Sequence, residues 1–158
     1  MKMCDIVVKD AIITGLRSSA RDEVIGELVD ALVSAGIVPQ DKRKEIVDAV
    51  LERERRGSTG FGKGVAIPHV KRAGVKRLAA AVGVSENGID FNALDKQPVY
   101  AVFLLISPAD DPEQHLRAME ISFKHLSQEN FRRFLRQSRA PGDLWTLLQD
   151  ADNAQLPV

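Results

Sequence analysis

The chain has 158 residues, 44% of them hydrophobic and 28% charged, which suits one compact domain with a real core. Lys plus Arg (22) equals Asp plus Glu (22), so no global charge favours nucleic acid or a membrane surface as partner. The single cysteine, Cys4, excludes an intrachain disulfide framework and a multi-cysteine zinc site. No apolar run approaches the ~18 residues needed to cross a bilayer. The opening MKMCDIVVKD lacks the apolar core of a signal peptide, and the expected address is cytoplasmic.

A short strand is expected at Ile6 to Val8, continuing or turning at Ala11 to Ile13. Ser18 and Ser19 precede acid at Asp22 and Glu23, a capped helix start, and Val24, Leu28, Ala31 and Leu32 then recur at helical spacing. This predicts a helix over 20–34, ended by Gly36 and Pro39. A second helix is expected from Asp41 to Arg55. Residues 57–64, GSTGFGKG, hold four glycines in eight positions and read as a loop governed by its backbone.

Val65 to Ile67 reads as a short strand stopped by Pro68, with His69 just beyond its end. Leu78 to Val84 is a strand, Glu86-Asn87-Gly88 a hairpin signal, and Ile89 to Phe91 the return. The run VYAVFLLI, residues 99–106, is apolar on both alternating sets and predicts a central strand covered on both faces. Asp110-Asp111-Pro112-Glu113 opens a third helix. A fourth covers Glu129 to Gln137, and a last short one Asp143 to Leu148. The fold class expected is α/β, a mixed β-sheet sandwiched between helices. Residues 1–150 form one domain, and 151–158 a frayed C-terminal tail.

Gly57 to Lys63 satisfies G-x-x-x-x-G-K, but Gly64 stands where a nucleotide loop needs Ser or Thr for magnesium. The loop also follows a helix and opens a strand, the reverse of a P-loop. Its amides, with the hydroxyls of Ser58 and Thr59, remain able to face a phosphate. Of the three histidines, His125 reads as structural or surface. No metal-ligand spacing includes any of them, so neither metal nor cofactor is expected. His69, taken alone, is as readily a structural histidine as a functional one. The glycine loop before it and Arg53 on the preceding helix favour function, because guanidinium offers a planar fork of donors to phosphate. Basic runs at Lys71, Arg72, Lys76 and Arg77, and at Arg132, Arg133, Arg136 and Arg139, lack the interleaved aromatics of a nucleic-acid binder. They read as solvated faces or contacts for an acidic protein.

Two stretches carry a family resemblance: LERERRGSTGFGKGVAIPHVK (51–71) and FNALDKQPVYAVFLLISPADDPEQHL (91–116). The chain resembles the IIA domains of the fructose–mannitol class of the sugar phosphotransferase system, and within it the nitrogen-regulatory group. The likeness extends more loosely through the C-terminal helices. It implies that His69 accepts a phosphoryl group, that His115 is the second site histidine, and that Arg53 is the site arginine. It implies a mixed sheet flanked by helices and the phosphocarrier HPr as donor. Ser58 and Thr59 are then expected to bind phosphate, and Phe61 and Val70 to line an apolar docking rim. Val70 departs from the pattern, which usually has glycine after the histidine. A neutral imidazole with a pKa of about 6.5 needs no general base to act as a nucleophile. Three roles stay open: a regulatory phosphocarrier signalling by its phosphorylation state, a transport component handing phosphoryl to a separate IIB domain, and a binding module without transfer. The absence of a IIB segment favours the first.

Overall fold

Apolar alternation along two long strands sets the architecture. β4 (Ala79–Ile89) and β5 (Val99–Pro108) pair antiparallel, with Ala80 opposite Leu105 and Val82 opposite Phe103. Successive side chains of a strand point to opposite faces. Ala80, Val82, Ala101, Phe103 and Leu105 therefore enter one buried cluster, and Ala79, Ala81, Val102, Leu104 and Ile106 another. The computed structural model describes residues 1–154 and covers both faces with helices. α2 (Arg21–Ser34) and α3 (Arg43–Arg56) cover one. α1 (Met3–Ile6), α4 (Pro112–Leu126), α5 (Glu129–Gln137) and α6 (Pro141–Asp152) cover the other. This is the expected mixed sheet between helical layers.

β1 (Val7–Ile13) lies parallel to β4, and β2 (Val65–Ala66) parallel to β5 on its far edge. β3 (His69–Arg72) was not expected from the sequence. It continues the β2 edge beside β5, pairing His69 with Leu105 and Val70 with Ile106. The reason is that Pro68 removes only one donor, which an edge strand can spare. Its carbonyl still accepts from the Leu105 N–H at 2.9 Å, and the register with β5 is the same on both sides of it. His69 thus sits at the start of a paired strand, not on a free end.

Three other expectations change. The Glu86-Asn87-Gly88 hairpin does not form. The Ser85 hydroxyl accepts the Gly88 N–H at 3.0 Å, Gly88 takes φ +93°, and the segment is absorbed as a bulge. Ile89 then resumes pairing, opposite Val99. At the N-terminus, Ile6 belongs to α1, because the Asp152 carboxylate accepts the Met3 and Cys4 N–H groups at 2.7 and 2.9 Å. For the same reason α6 runs on to Asp152, past Leu148, and residues 151 and 152 belong to the fold. Residues 155–158 of the expected tail lie outside the described residues.

Candidate functional site

His69 faces the α4 layer, because strand alternation puts it on the same side as Val65 and Ile67. His115 meets it from the first turn of α4. That turn is fixed by Asp111, whose carboxylate accepts the Gln114 N–H at 3.1 Å, and by Pro112 at the first helical position. The two imidazole centroids are 5.5 Å apart. Both rings are half-buried.

Each ring is oriented by one hydrogen bond. His69 Nδ1 lies 2.8 Å from the carbonyl oxygen of Ile67. A carbonyl can only accept, so Nδ1 carries the proton and Nε2 holds the lone pair. His115 Nδ1 lies 2.6 Å from the hydroxyl of Ser107, a fully buried residue near the end of β5. Burial is the main cause that pulls the His69 pKa below the ordinary imidazole range. Arg53 pulls the same way, while the Ile67 carbonyl and Glu54 oppose it. His115 is pushed down to about 4, first by burial, then by the charges of His69 and Lys71. Both rings are therefore neutral at pH 7.

The histidines open onto a cleft of about 350 Å³ that brings α3 and β3 together. Arg53 lines it, held by a 3.0 Å bond from Nη1 to the Gly57 carbonyl. Arg56, Lys71 and Arg72 add positive charge. Arg56 is paired with Glu52 at 3.0 Å and Arg72 with Glu45 at 2.7 Å, whereas Lys71 makes no ion pair among the described residues.

The glycine loop beside the cleft is braced by Glu54, which is 2% exposed. Its carboxylate accepts the Thr59 N–H at 3.1 and 3.2 Å and the Thr59 hydroxyl through a further short bond. Thr59 is buried and both its donors are spent there. The Gly60 N–H donates to Ser58 Oγ at 3.0 Å, which leaves the Ser58 hydroxyl proton available. Gly60 is laid so close to Ala93 that a Cβ would come within 2.8 Å of the Ala93 Cβ, so the loop path itself requires glycine there.

Phe61 and Val70 do not share a face. Phe61 packs on the α4 side, its ring centroid 4.9 Å from that of the exposed Phe123 at a tilt of 47°. Val70 lines the cleft edge but packs toward the α2–α3 layer, opposite in direction to His69. Sequence reasoning missed Ser107, Glu54 and Phe123. The Ser-Pro that ends VYAVFLLI marks a strand end and was the one local signal for Ser107. Glu54 gave none, because its partner Thr59 is reached only once the loop folds back. Among the described residues, no group of three or more His, Cys, Asp or Glu is placed to hold a metal ion. No helix among them is long and apolar enough to cross a membrane.

Residues 5–151 match the family described as phosphoenolpyruvate-dependent sugar phosphotransferase system, EIIA 2. The chain belongs to the EIIA 2 family. Among EIIA 2 relatives, the nitrogen regulatory protein of Bradyrhizobium diazoefficiens is 31% identical over 94% of this chain and 95% of its own length. The nitrogen regulatory protein of Escherichia coli is 36% identical over 82% of the chain and 77% of its own. The fructose-specific EIIABC component of Bacillus subtilis is 32% identical over 96% of the chain, which spans only 24% of that larger protein. In solved structures, nitrogen regulatory protein IIA-Ntr from Neisseria meningitidis superposes with a TM-score of 0.81 at 25% identity, covering 91% of this chain and 97% of that one. The Escherichia coli IIA mannitol structure gives 0.73 at 20% identity, over 89% and 97%, and shows the shared EIIA 2 fold.

Proposed function

We propose that this EIIA 2 protein is a phosphohistidine carrier: His69 Nε2 accepts a phosphoryl group from an HPr-type donor, and the two charge states signal to a protein target. The observation that carries this reading is the Nδ1 to Ile67 carbonyl bond. It aims an unprotonated Nε2 into a cleft lined by cations. The Nε2 lone pair forms the new N–P bond as the donor's N–P bond breaks, and the leaving electron pair returns to the donor imidazole. Donor and acceptor are chemically alike, so the step needs in-line placement and charge compensation more than covalent help.

Arg53, Lys71 and the Ser58 hydroxyl supply that compensation, and His115, fixed by Ser107, positions the group beside His69. Thr59 serves by holding the loop through Glu54. Phe61, with Phe123, and the cleft edge at Val70 form the apolar borders against which the donor docks and water is excluded. Added phosphoryl charge of about −2 at one point is enough to recruit or reject a partner. A regulatory role is supported by a nitrogen regulatory relative that matches over 95% of its own length. A second reading, transfer onward to a IIB domain, is supported by the fold shared with Escherichia coli IIA mannitol, which is known in complex with phosphorylated IIB.

The test is to incubate the protein with phosphoenolpyruvate, enzyme I and HPr and to map acid-labile phosphate by mass spectrometry. Label on His69, lost in His69→Ala, is the expected result. Label elsewhere, or none, overturns the carrier reading. Removal of the label by an added IIB domain selects transport over signalling.

A further inference from the structure

At the end of β5 away from His69 lies a second cationic concavity, of about 450 Å³. Three separate segments build it: Lys63 from the glycine loop, Ser85 and Glu86 from the β4 bulge, and the outer side of α5 with Arg139 just beyond it. Five cations face it (Lys63, Arg132, Arg133, Arg136 and Arg139) against the carboxylates Glu86 and Glu129. This local excess stands out in a chain whose net charge is zero.

The charges are not neutralised within the fold. None of the five cations forms an ion pair among the described residues. That holds although Glu129 stands three and four residues from Arg132 and Arg133, the spacing at which helix charges usually meet. The arginines are nonetheless held. The Arg136 guanidinium carbon lies 3.7 Å from the Tyr100 ring centre, a cation–π contact that holds the group in place while its N–H donors make no ion pair among the described residues. Arg132 donates one N–H to the Leu126 carbonyl at 3.0 Å, and Arg139 one to the Arg136 carbonyl at 2.7 Å. Each keeps further N–H groups free. Ser85 is 6% exposed and accepts from Gly88, so its own hydroxyl proton remains to be donated.

We propose that this cleft binds a compact polyphosphate anion, a chain of two or three phosphates either free or carried by a nucleotide. Held guanidinium forks match phosphate oxygens in pairs, and several cations within one hollow reward an anion with several charges close together. Three segments of the chain line one concavity, and cations converging in a hollow of this size suit a small polyanion. A nucleic-acid strand would need open aromatic faces for its bases, and the Tyr100 face is taken by Arg136. The site shares no lining residue with the His69 cleft.

The test is a two-dimensional amide NMR titration at physiological ionic strength with sodium tripolyphosphate, and in parallel with ATP and with inorganic phosphate. Saturable shifts centred on Lys63, Ser85 and residues 132–139 are expected, with inorganic phosphate much weaker. Arg133→Gln with Arg136→Gln, both exposed, should weaken tripolyphosphate binding by about tenfold or more. Lys63→Gln, in a separate segment, gives the same reading should the double variant fail to fold. Tighter binding of ATP than of tripolyphosphate assigns a nucleotide as the source, and equal binding assigns the phosphate chain alone. Shifts centred on residues 69–72 and His115, no saturation, unchanged affinity in folded variants, or stronger binding of a polyglutamate peptide would each overturn the proposal.

Discussion

Glu54→Ala tests whether the loop beside His69 is held by one buried carboxylate. In the native chain Glu54 satisfies both the N–H and the hydroxyl of Thr59. The alanine variant leaves both donors buried and unpaired, and each such orphan costs about 1–3 kcal/mol. Removing the carboxylate also removes its own desolvation, which offsets part of that loss. The expected net destabilisation is therefore near the lower part of the summed range, about 2–3 kcal/mol. With a urea slope of about 2 kcal/mol/M, the unfolding midpoint should fall by about 1 M.

Thr59→Val removes one end of the same contact, so a double-mutant cycle should return a coupling of about 1 kcal/mol or more. His69 reports a second effect. Glu54 raises its proton affinity, so the Glu54→Ala imidazole should titrate lower still in NMR. An unchanged midpoint, or strictly additive single variants, would refute the bracing role.

The other predictions concern the histidines and Val70. His69, His115 and His125 are all held below the ordinary imidazole range in the folded chain, His115 at about 4. Unfolded imidazoles titrate near 6.5, so below about pH 6.5 the unfolded chain binds more protons. Stability should thus be full above that pH and fall steadily toward pH 4. A flat series of urea midpoints between pH 7 and pH 4 would contradict the burial of these rings. Ser107→Ala removes the partner of His115 Nδ1. It should slow His69 phosphorylation several-fold without moving the phosphate, and ¹⁵N imidazole spectra should show His115 with mixed tautomers. Val70→Gly introduces glycine into a strand and deletes a half-buried side chain, a cost of about 1.5–2 kcal/mol by thermal or urea unfolding. Because Val70 points away from His69, labelling of His69 should persist in that variant, and its loss would show that the side chain shapes the nucleophile's surroundings.

Much of the fold was legible because the signals were local or periodic. VYAVFLLI announced a strand covered on both faces, and it is the central partner of β4, β2 and β3. Asp111-Pro112 announced the start of α4, and with it the height at which His115 stands. The failures arise where a partner outside the local pattern decides, most of them distant in sequence. Pro68 looked like a strand stop until β5 supplied the pairing that carries the edge past it. Glu86-Asn87-Gly88 looked like a hairpin until the Ser85 hydroxyl and the resumed pairing with Val99 made it a bulge. Asp152 looked like tail until it met the first helix. At the site, residue types pointed to His69 and Arg53, and the family resemblance added His115. The hydrogen bonds that decide what those rings can do come from a backbone carbonyl and from Ser107, and no pattern of side chains reveals a carbonyl.

The clasp between Asp152 and the first helix makes a reporter of the lone thiol. Cys4 is pushed up to about 12, by burial first and then by the bond and charge of the same Asp152 carboxylate. At neutral pH almost no thiolate exists while the clasp is shut, and the thiolate is the form that reacts. Alkylation of Cys4 therefore measures how often the two ends of the fold part. Because Asp152 meets Met3 and Cys4 at one latch, the described fold can be joined to further chain on both sides without being stretched. Reagent uptake at a single sulfur would show how firmly such a cassette stays closed when other domains pull on it.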